Sequence, residues 1–288
     1  MTRKPSKQSL QYIVVGIFLF TNIFIWTVVA RADRNGILTV AFLEVGQGDA
    51  IYIEAPNGNQ MLIDGGPSSG ALLRALGSVM PFWDRSIDVV IATHPDQDHV
   101  GGLPAVIDRM SVDSVVITEN TSDTGAYSAF EKAIAENKSR RILARAGERI
   151  ILDNGVVLEI LFPDRNTTNW ESNTSSIIAR LSYREESFIF TGDAPESIEK
   201  YIVSKSSGEL HSSVLKLGHH GSRTSSSKIF LSAVDPKYAV ISAGKDNKYG
   251  HPHKEVTDLL GELKIPAVRT YEQGTIIFET NGNDLLVK

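Results

Sequence analysis

The stretch ATHPDQDHVGG, residues 92–102, constrains this chain more than any other. It places two histidines and two aspartates within six residues, directly after the apolar run IDVVIAT and directly before two glycines. A short, fully apolar run reads as a buried strand, and the glycines let the chain turn tightly into a helix. The strand therefore hands His94, Asp96, Asp98 and His99 to a loop at its end. Four such groups crowded together repel one another or must neutralise unless a cation sits among them. Imidazole nitrogens and carboxylate oxygens are ligands of Zn2+, Mn2+ and Fe2+. The competing reading, a solvated acidic turn, suits a lone His or Asp and not this density.

Other strands end the same way. Asp193 follows the apolar residues of FIFTGDA, His219 and His220 those of VLKLGHHGS, and Asp64 those of QMLIDGG. Taken singly, an Asp at a strand end is more often a turn or helix cap. Taken together, these are repeated deliveries of metal-type ligands to one edge of a sheet. The chain has no cysteine, so any metal is held by His, Asp, Glu or Asn. Absence of Cys is compatible with either redox compartment.

The 288 residues are 42% hydrophobic, enough for a sizeable core. Strands read at ILTVAFLEV, AIYIEA and QMLIDGG, the last two joined by the hairpin signal PNGN. A helix reads at residues 71–79, a strand at SVVITE, a helix at AYSAFEKAIAE and several strands over residues 141–162. SSIIARLSY and SFIFTGD form a second hairpin, after which helices and strands alternate. No short repeat and no Pro-, Gly- or Ser-rich linker divides residues 36–288. The pattern predicts one α/β domain, with two packed sheets covered by helices.

Ahead of it, residues 13–30 run for 18 positions without a charge, just long enough to span a bilayer as a helix. Arg3, Lys4 and Lys7 precede the run and predict an N-terminus in the cytoplasm, with everything after the span outside. A cleaved signal peptide is the rival, because ARA at residues 30–32 resembles a small-residue cleavage site. A helix buried in the globular domain is a third reading. The expectation is a cytoplasmic N-terminus and uncleaved anchor within residues 1–35, and a single extracytoplasmic domain at 36–288.

HPDQDHVGG resembles the metal-binding signature of the metallo-β-lactamase superfamily, His-x-His-x-Asp-His, and the order of TGD and the later strand-end histidines is similar as well. VGQGDAIYIEAPNGNQMLIDGG, SNTSSIIARL, FTGDA, LKLGHHGSRTSSS and YGHPHKEV are together more specific. Over roughly residues 38–278 they resemble the metallo-β-lactamase-like domain of the ComEC family of DNA-uptake competence proteins. This sequence holds one candidate span in place of that family's multi-span channel domain, so transport of DNA is not carried over. The resemblance implies an αββα sandwich with two divalent ions, Mn2+ or Zn2+, at one edge. Carried over residue by residue, His94 and Asp96 bind the first ion, and Asp98 and His99 the second, with Asp98 also counted as catalytic. Asp193 bridges both ions. One of His219 and His220 completes the second, and sequence does not choose between them. Asp64 is buried and steadies the ligand loop. Ser222 and Arg223 are expected to contact substrate.

Two departures matter. Asp96 stands where the wider superfamily has His, and a hard oxygen there shifts preference from Zn2+ towards Mn2+. The superfamily's third first-ion histidine is missing, since no His occurs between His99 and His211. Asn173 lies where the ComEC-like proteins have their own Asn-containing motif; it is a weak ligand, a substrate contact or a turn residue. His251 and His253 flank Pro252, which suits the first turn of a helix, and a helix N-terminus favours anions. His251 is the candidate for general acid or phosphate contact. His253 is expected at the surface.

The formal net charge of −5 argues against a generally basic nucleic-acid binder. Residues 204–254 are the exception. There Lys205, Lys216, Arg223, Lys228, Lys237, Lys245, Lys248 and Lys254 face only Glu209, Asp235 and Asp246. That balance favours a phosphate-containing substrate such as DNA, against the plainer reading of a basic face with no partner. The sequence thus points to a membrane-anchored metallohydrolase, a phosphodiesterase or nuclease acting on DNA beside separate channel or competence proteins. A hydrolase of a phosphocholine ester or a lactam-like substrate is the first alternative. A non-catalytic DNA-binding module is the second.

Overall fold

The computed structural model describes residues 6–32, 34, 36–205 and 210–288. Arg3, Lys4 and Glu209 of the sequence argument lie outside them. The uncharged run falls inside one helix, α1 (Lys7–Ala32). Residues 7–26 have a mean hydropathy of 1.7 and none is buried, so this is not a core helix. By length and composition α1 can cross a membrane.

The rest is two sheets face to face with helices outside. The first sheet takes β1 (Leu38–Phe42), β2 (Ile51–Glu54), β3 (Gln60–Ile63), β4 (Ser86–Ile91), β5 (Ser111–Ile117) and β6 (Arg140–Leu143). The second takes β7 (Arg149–Asp153), β8 (Val156–Phe162), β9 (Ile178–Tyr183), β10 (Glu186–Phe190), β11 (Val214–Lys216), β12 (Tyr238–Ile241) and β13 (Ala267–Arg269). The chain then returns to the first sheet through β14 (Ile276–Thr280) and β15 (Leu285–Val287), giving the orders β15-β14-β1-β2-β3-β4-β5-β6 and β13-β12-β11-β10-β9-β8-β7. Each sheet is antiparallel in one half and parallel in the other: β3 to β6 run together, as do β10 to β13. The PNGN turn joins β2 and β3, and β9 and β10 form the second hairpin, as their sequences predict.

Helices α2 (Ser69–Val79), α3 (Gln97–Val100), α4 (Leu103–Arg109) and α5 (Gly125–Asn137) bury Leu72, Leu76, Val100, Val106 and Phe130 against the outer face of the first sheet. Helices α6 (Glu196–Lys205), α7 (Lys228–Val234) and α8 (Lys254–Leu263) bury Ile202, Leu231 and Leu260 on the second. A single turn, α9 (Thr270–Gln273), leads from β13 to β14. Strands covered on both faces lose the apolar–polar alternation of a half-exposed strand. That is why QMLI of β3 is buried throughout, while VVLEILF of β8, near the sheet edge, still alternates.

Between the sheets, Phe42 and Phe188 meet Phe278 edge-on, with centroids 5.7 and 6.1 Å away. Phe278 ties the returning strand β14 to both layers. Phe278→Ala is expected to cost about 3–5 kcal/mol through lost burial and a residual cavity. Urea unfolding of the full chain in detergent checks this, and a cost below that of a surface substitution refutes it.

Candidate metal centre

The carboxyl ends of β3, β4, β10, β11 and β12 converge on one edge, and the loops that follow carry the chemistry. Asp64, directly after β3, takes a left-handed backbone (φ 58°) and is buried. Its carboxylate accepts the Thr93 backbone N–H at 2.8 Å, the Thr93 hydroxyl at 2.7 Å and His99 Nδ1 at 2.7 Å. The Thr93 hydroxyl has one hydrogen and gives it to Asp64. It can then only accept from His94 Nδ1, 3.0 Å away. One aspartate therefore orients both rings with Nε2 directed away from it.

Both Nε2 atoms face Asp193. This residue follows β10 through the Thr191–Gly192 turn, and its N–H donates to Ser176 Oγ at 3.1 Å. Asp193 Oδ1 lies 3.2 Å from His99 Nε2. Its Oδ2 lies 3.5 Å from His220 Nε2, 3.7 Å from His219 Nε2 and 3.9 Å from His94 Nε2. Asp98 Oδ2 is 3.3 Å from His220 Nε2, and Asp96 Oδ2 is 3.8 Å from His94 Nε2. Asp96 is also tethered, since its Oδ1 accepts from Ser172 Oγ at 2.6 Å. The structure thus gathers His94, Asp96, Asp98, His99, His219 and His220 around Asp193. Both histidines of GHHG reach it from left-handed backbone, but only His220 is buried and also meets Asp98.

One residue of the site, Asp49, escapes the sequence reading, and another, Lys216, is read there only as part of the basic stretch. Asp49, in the turn between β1 and β2, accepts His220 Nδ1 at 3.1 Å, a proton shared with Ser242 O at 3.0 Å. Its other oxygen is 2.5 Å from Lys216 Nζ, and both side chains are buried. Asp49, His99, Asp193 and His220 offer ligand atoms all within 4.8 Å of one another. Asp49 nevertheless lies on the Nδ1 side of His220 and is taken up by Lys216, so it orients the ring as Asp64 orients His99. The available signal was GQGD. A Cβ at Gly48 would collide with the Asp98 carbonyl oxygen, so glycine is what lets this turn touch the ligand loop.

The donors fit a divalent cation. His94 Nε2, His99 Nε2 and Asp193 Oδ1 are buried without a hydrogen-bond partner among the described residues, a costly arrangement for polar atoms with nothing between them. Burial opposes charge on Asp193, yet His220 and His99 hold its carboxyl well below the usual range. Burial also opposes charge on His220 and His99; the surrounding carboxylates, Asp193 foremost, raise the one to about 9 and the other well above the ordinary histidine value. Burial and then His99 push His94 down to about 4, which preserves its Nε2 lone pair. All donors are N or O, the set suited to Zn2+, Mn2+ or Fe2+.

Around this centre the other sequence candidates part ways. Asn173 lies in a short 3-10 turn (Asn173–Ser175) with Oδ1 buried and unpartnered among the described residues, between the Ser172 that holds Asp96 and the Ser176 that holds Asp193. Ser222 is buried, and its hydroxyl meets Thr224 at 3.0 Å, within its own loop. Arg223 is exposed and pairs with Glu255 at 3.6 Å. The His251 ring stands 5.2 and 6.1 Å from those of His219 and His220, with Nδ1 buried and unpartnered among the described residues. Pro252 precedes α8 rather than opening it. The cap residue is His253, half-buried rather than on the surface, and its Nδ1 accepts the Arg223 N–H at 3.0 Å.

The basic stretch also changes meaning. Lys216 is buried against Asp49, so it cannot track a nucleic-acid backbone. Lys228, Lys237 and Lys254 pair with Glu262, Glu186 and Asp258 at 2.5, 2.7 and 2.6 Å. Much of the positive charge is therefore spent on carboxylates outside residues 204–254. Lys245 and Lys248 remain exposed with no acidic partner within 4.0 Å among the described residues. Lys248 lies over the Tyr249 ring, 5.0 Å from its centroid, and Tyr249 stacks on His251 at 5.7 Å. Lys248 and Tyr249, with Gln47, Gln97, Asp98 and Asn247, line a cleft of about 450 Å3 beside the ligand loop.

The sequence pattern of the Metallo-beta-lactamase superfamily matches residues 43–245, well over half of the chain. The chain belongs to the metallo-β-lactamase superfamily. This superfamily member is 30% identical to ComE operon protein 3 of Bacillus subtilis (strain 168), over 94% of its own length and 36% of that protein's. It is 31% identical to Competence protein ComA of Neisseria gonorrhoeae, over 83% of its own length and 32% of that protein's. It therefore spans about a third of these relatives, competence proteins of the ComEC family. Among solved structures, the metallo-beta-lactamase fold protein YhfI from Bacillus subtilis has a TM-score of 0.57 at 12% identity, over 84% of this chain and 99% of that one. That likeness speaks to the fold alone, and the αββα sandwich read from sequence stands.

Proposed function

We propose that the domain is a two-metal hydrolase of phosphodiesters that acts on single-stranded DNA outside the cytoplasm, with α1 as its membrane anchor. The ring of buried donors around Asp193, beside a cleft with Lys248 and Tyr249 on its rim, carries this reading. His94 and Asp96 would hold one ion, Asp98, His99 and His220 the other, and Asp193 would touch both. Two bound divalent ions supply a more acidic water and positive charge for the oxygens of a phosphodiester.

The chain's own residues do the rest. Asp64 and Asp49 keep the imidazoles aimed. Lys248 attracts a backbone phosphate, and Tyr249 offers a face on which a base can stack. His251, behind Tyr249, is the group to contact the phosphate; burial and then His219 push it down to about 4, so near neutral pH it offers a ring N–H and no spare proton. A flexible strand can bend a phosphate into a cleft beside a buried centre, whereas duplex DNA resists local bending. The printed name of one relative, a competence protein, agrees with DNA as substrate. Separate channel or competence proteins are the proposed partners. The Lys7 flank of α1, with Arg3 and Lys4, supports an N-terminus in the cytoplasm.

The pairing of most basic residues favours a second reading, a smaller phosphoester such as a phosphocholine ester. A hydrolysis panel separates the two. The full chain in detergent is given single-stranded and duplex oligonucleotides, a chromogenic phosphodiester, a phosphocholine ester and a β-lactam, each with Mn2+, Zn2+ or chelator. Metal-dependent cleavage of single strands ahead of duplex supports the proposal. Cleavage of the phosphocholine ester alone transfers it to the second reading. DNA binding without any hydrolysis makes the domain a binding module.

Lys245→Gln with Lys248→Gln is expected to weaken oligonucleotide binding alike for all sequences, and to reduce the slope of log affinity against log salt by about 0.7 for each phosphate of a single strand no longer neutralised. Metal content should stay unchanged. A salt titration with labelled single strands reads this, and an unaltered slope removes both lysines from the substrate path.

A further inference from the structure

Two large aromatics of the globular domain stand in solvent on the loop between α2 and β4. Phe82 is 80% and Trp83 60% exposed, with their rings perpendicular at 4.8 Å. Phe82 also borders a cavity of about 340 Å3 with Leu73, Leu76, Met80, Arg85 and Arg109. Exposed apolar clusters of this kind mark a surface that something else covers.

Their place in the fold indicates what covers them. Asp84, the next residue, accepts from Gln60 Nε2 at 2.6 Å. Gln60 lies opposite Glu54 across β2 and β3, and Glu54 is ion-paired with Arg34. Arg34 is two residues beyond the end of α1. Phe82 and Trp83 therefore sit at the end of the first sheet where the anchor helix joins the domain. β1, β4 and β5 begin at that end. The metal ligands lie at the other, since Asp64 follows β3 and His94 to His99 follow β4. The two ends are separated by the six residues of β4, about 20 Å of extended chain. Arg85 and Arg109 flank the aromatics, exposed and without an acidic partner within 4.0 Å among the described residues, while Asp84 is turned to Gln60 and Ser86.

We propose that Phe82 and Trp83, with Arg85 and Arg109, form a second membrane contact: the aromatics enter the headgroup layer of the bilayer that α1 spans, the arginines meet lipid phosphates, and the metal centre opens away from the membrane. Trp favours this layer because its ring is apolar and its N–H is wet. Cations near the surface are drawn to anionic lipid. A helix alone leaves a domain free to tumble about its tether, and a second contact at the same end fixes its orientation. The proposal rests on reading α1 as an anchor.

The chain contains three tryptophans, Trp26, Trp83 and Trp170, which allows a test separating the two ideas. Full-length protein carrying Trp26→Phe and Trp170→Phe reports Trp83 alone, and Trp83→Phe with Trp170→Phe reports Trp26 alone. Each is reconstituted into phosphatidylcholine–phosphatidylglycerol vesicles, with or without bromine on the upper acyl chain. The expected result is loss of Trp83 emission in bromolipid, protection of Trp83 from aqueous iodide, and loss of much of that quenching in Arg85→Gln, Arg109→Gln. If bromolipid quenches Trp26 while Trp83 stays open to iodide, the anchor reading survives and this proposal is overturned. If bromolipid quenches neither, the anchor reading itself fails. If Trp83 is shielded from iodide yet untouched by bromolipid, protein covers the loop and the proposal is again overturned.

Discussion

Asp193→Asn is expected to reduce hydrolysis beyond the roughly 10–100-fold that loss of a ligand-orienting carboxylate costs. One of its oxygens faces His99, and the other faces His220, His219 and His94. An amide in its place keeps the shape but removes the charge that both halves of the centre share. Asn173→Ala should do far less, because Asn173 at most assists one half. Turnover and metal content after dialysis decide the matter for both variants. Equal losses would mean that Asp193 is not the shared ligand. Asp64→Asn falls between them: it touches no substrate, and its loss frees the rings of His99 and, through Thr93, His94.

Asp49→Ala is expected to be the most destabilising of the polar substitutions, by about 3–5 kcal/mol, because it leaves a buried ammonium without its counter-charge. Lys216→Met leaves Asp49 with His220 Nδ1 as a remaining partner and should cost less. The two residues form one unit, so Asp49→Leu with Lys216→Met should recover much of the loss, as apolar replacement of buried ion pairs often does. Metal affinity should not recover with stability, since His220 still lacks the carboxylate on its Nδ1. Urea midpoints give the first half of this prediction and metal titration the second. Losses of the single variants Asp49→Leu and Lys216→Met that simply add in the double variant would show that the pair is not coupled.

The pair also shows how far the sequence can be read. The signature loop, Asp193 and the GHHG turn are legible because each ends an apolar strand, and strand ends of an α/β sandwich share an edge. The two hairpins are legible from their turns. Asp49 and Lys216 are not. They are 167 positions apart in the sequence, and each reads as surface charge until the two sheets pack and bury both. On sequence alone Lys216 therefore counts towards a nucleic-acid track. Lys228 and Lys237 mislead in the same way, because a sum of charges over residues 204–254 does not see which carboxylate the fold sets beside each lysine, whereas for Lys254 the sum merely stops short of Asp258, one helical turn on. His253 reads as a surface residue because nothing nearby in sequence announces that Arg223 N–H will find its ring.

The donors come from both halves of the sandwich: His94 and His99 from the first sheet, Asp193 and His220 from the second. An ion held there rivets the halves together. Whatever binds the folded state alone adds to its stability, by about 2.7 kcal/mol at a concentration one hundred times the dissociation constant. On the proposed reading, supply of the metal would govern more than turnover. Scarcity would then loosen the seam and expose chain to proteases, so that the lifetime of the domain would follow the supply of the ion.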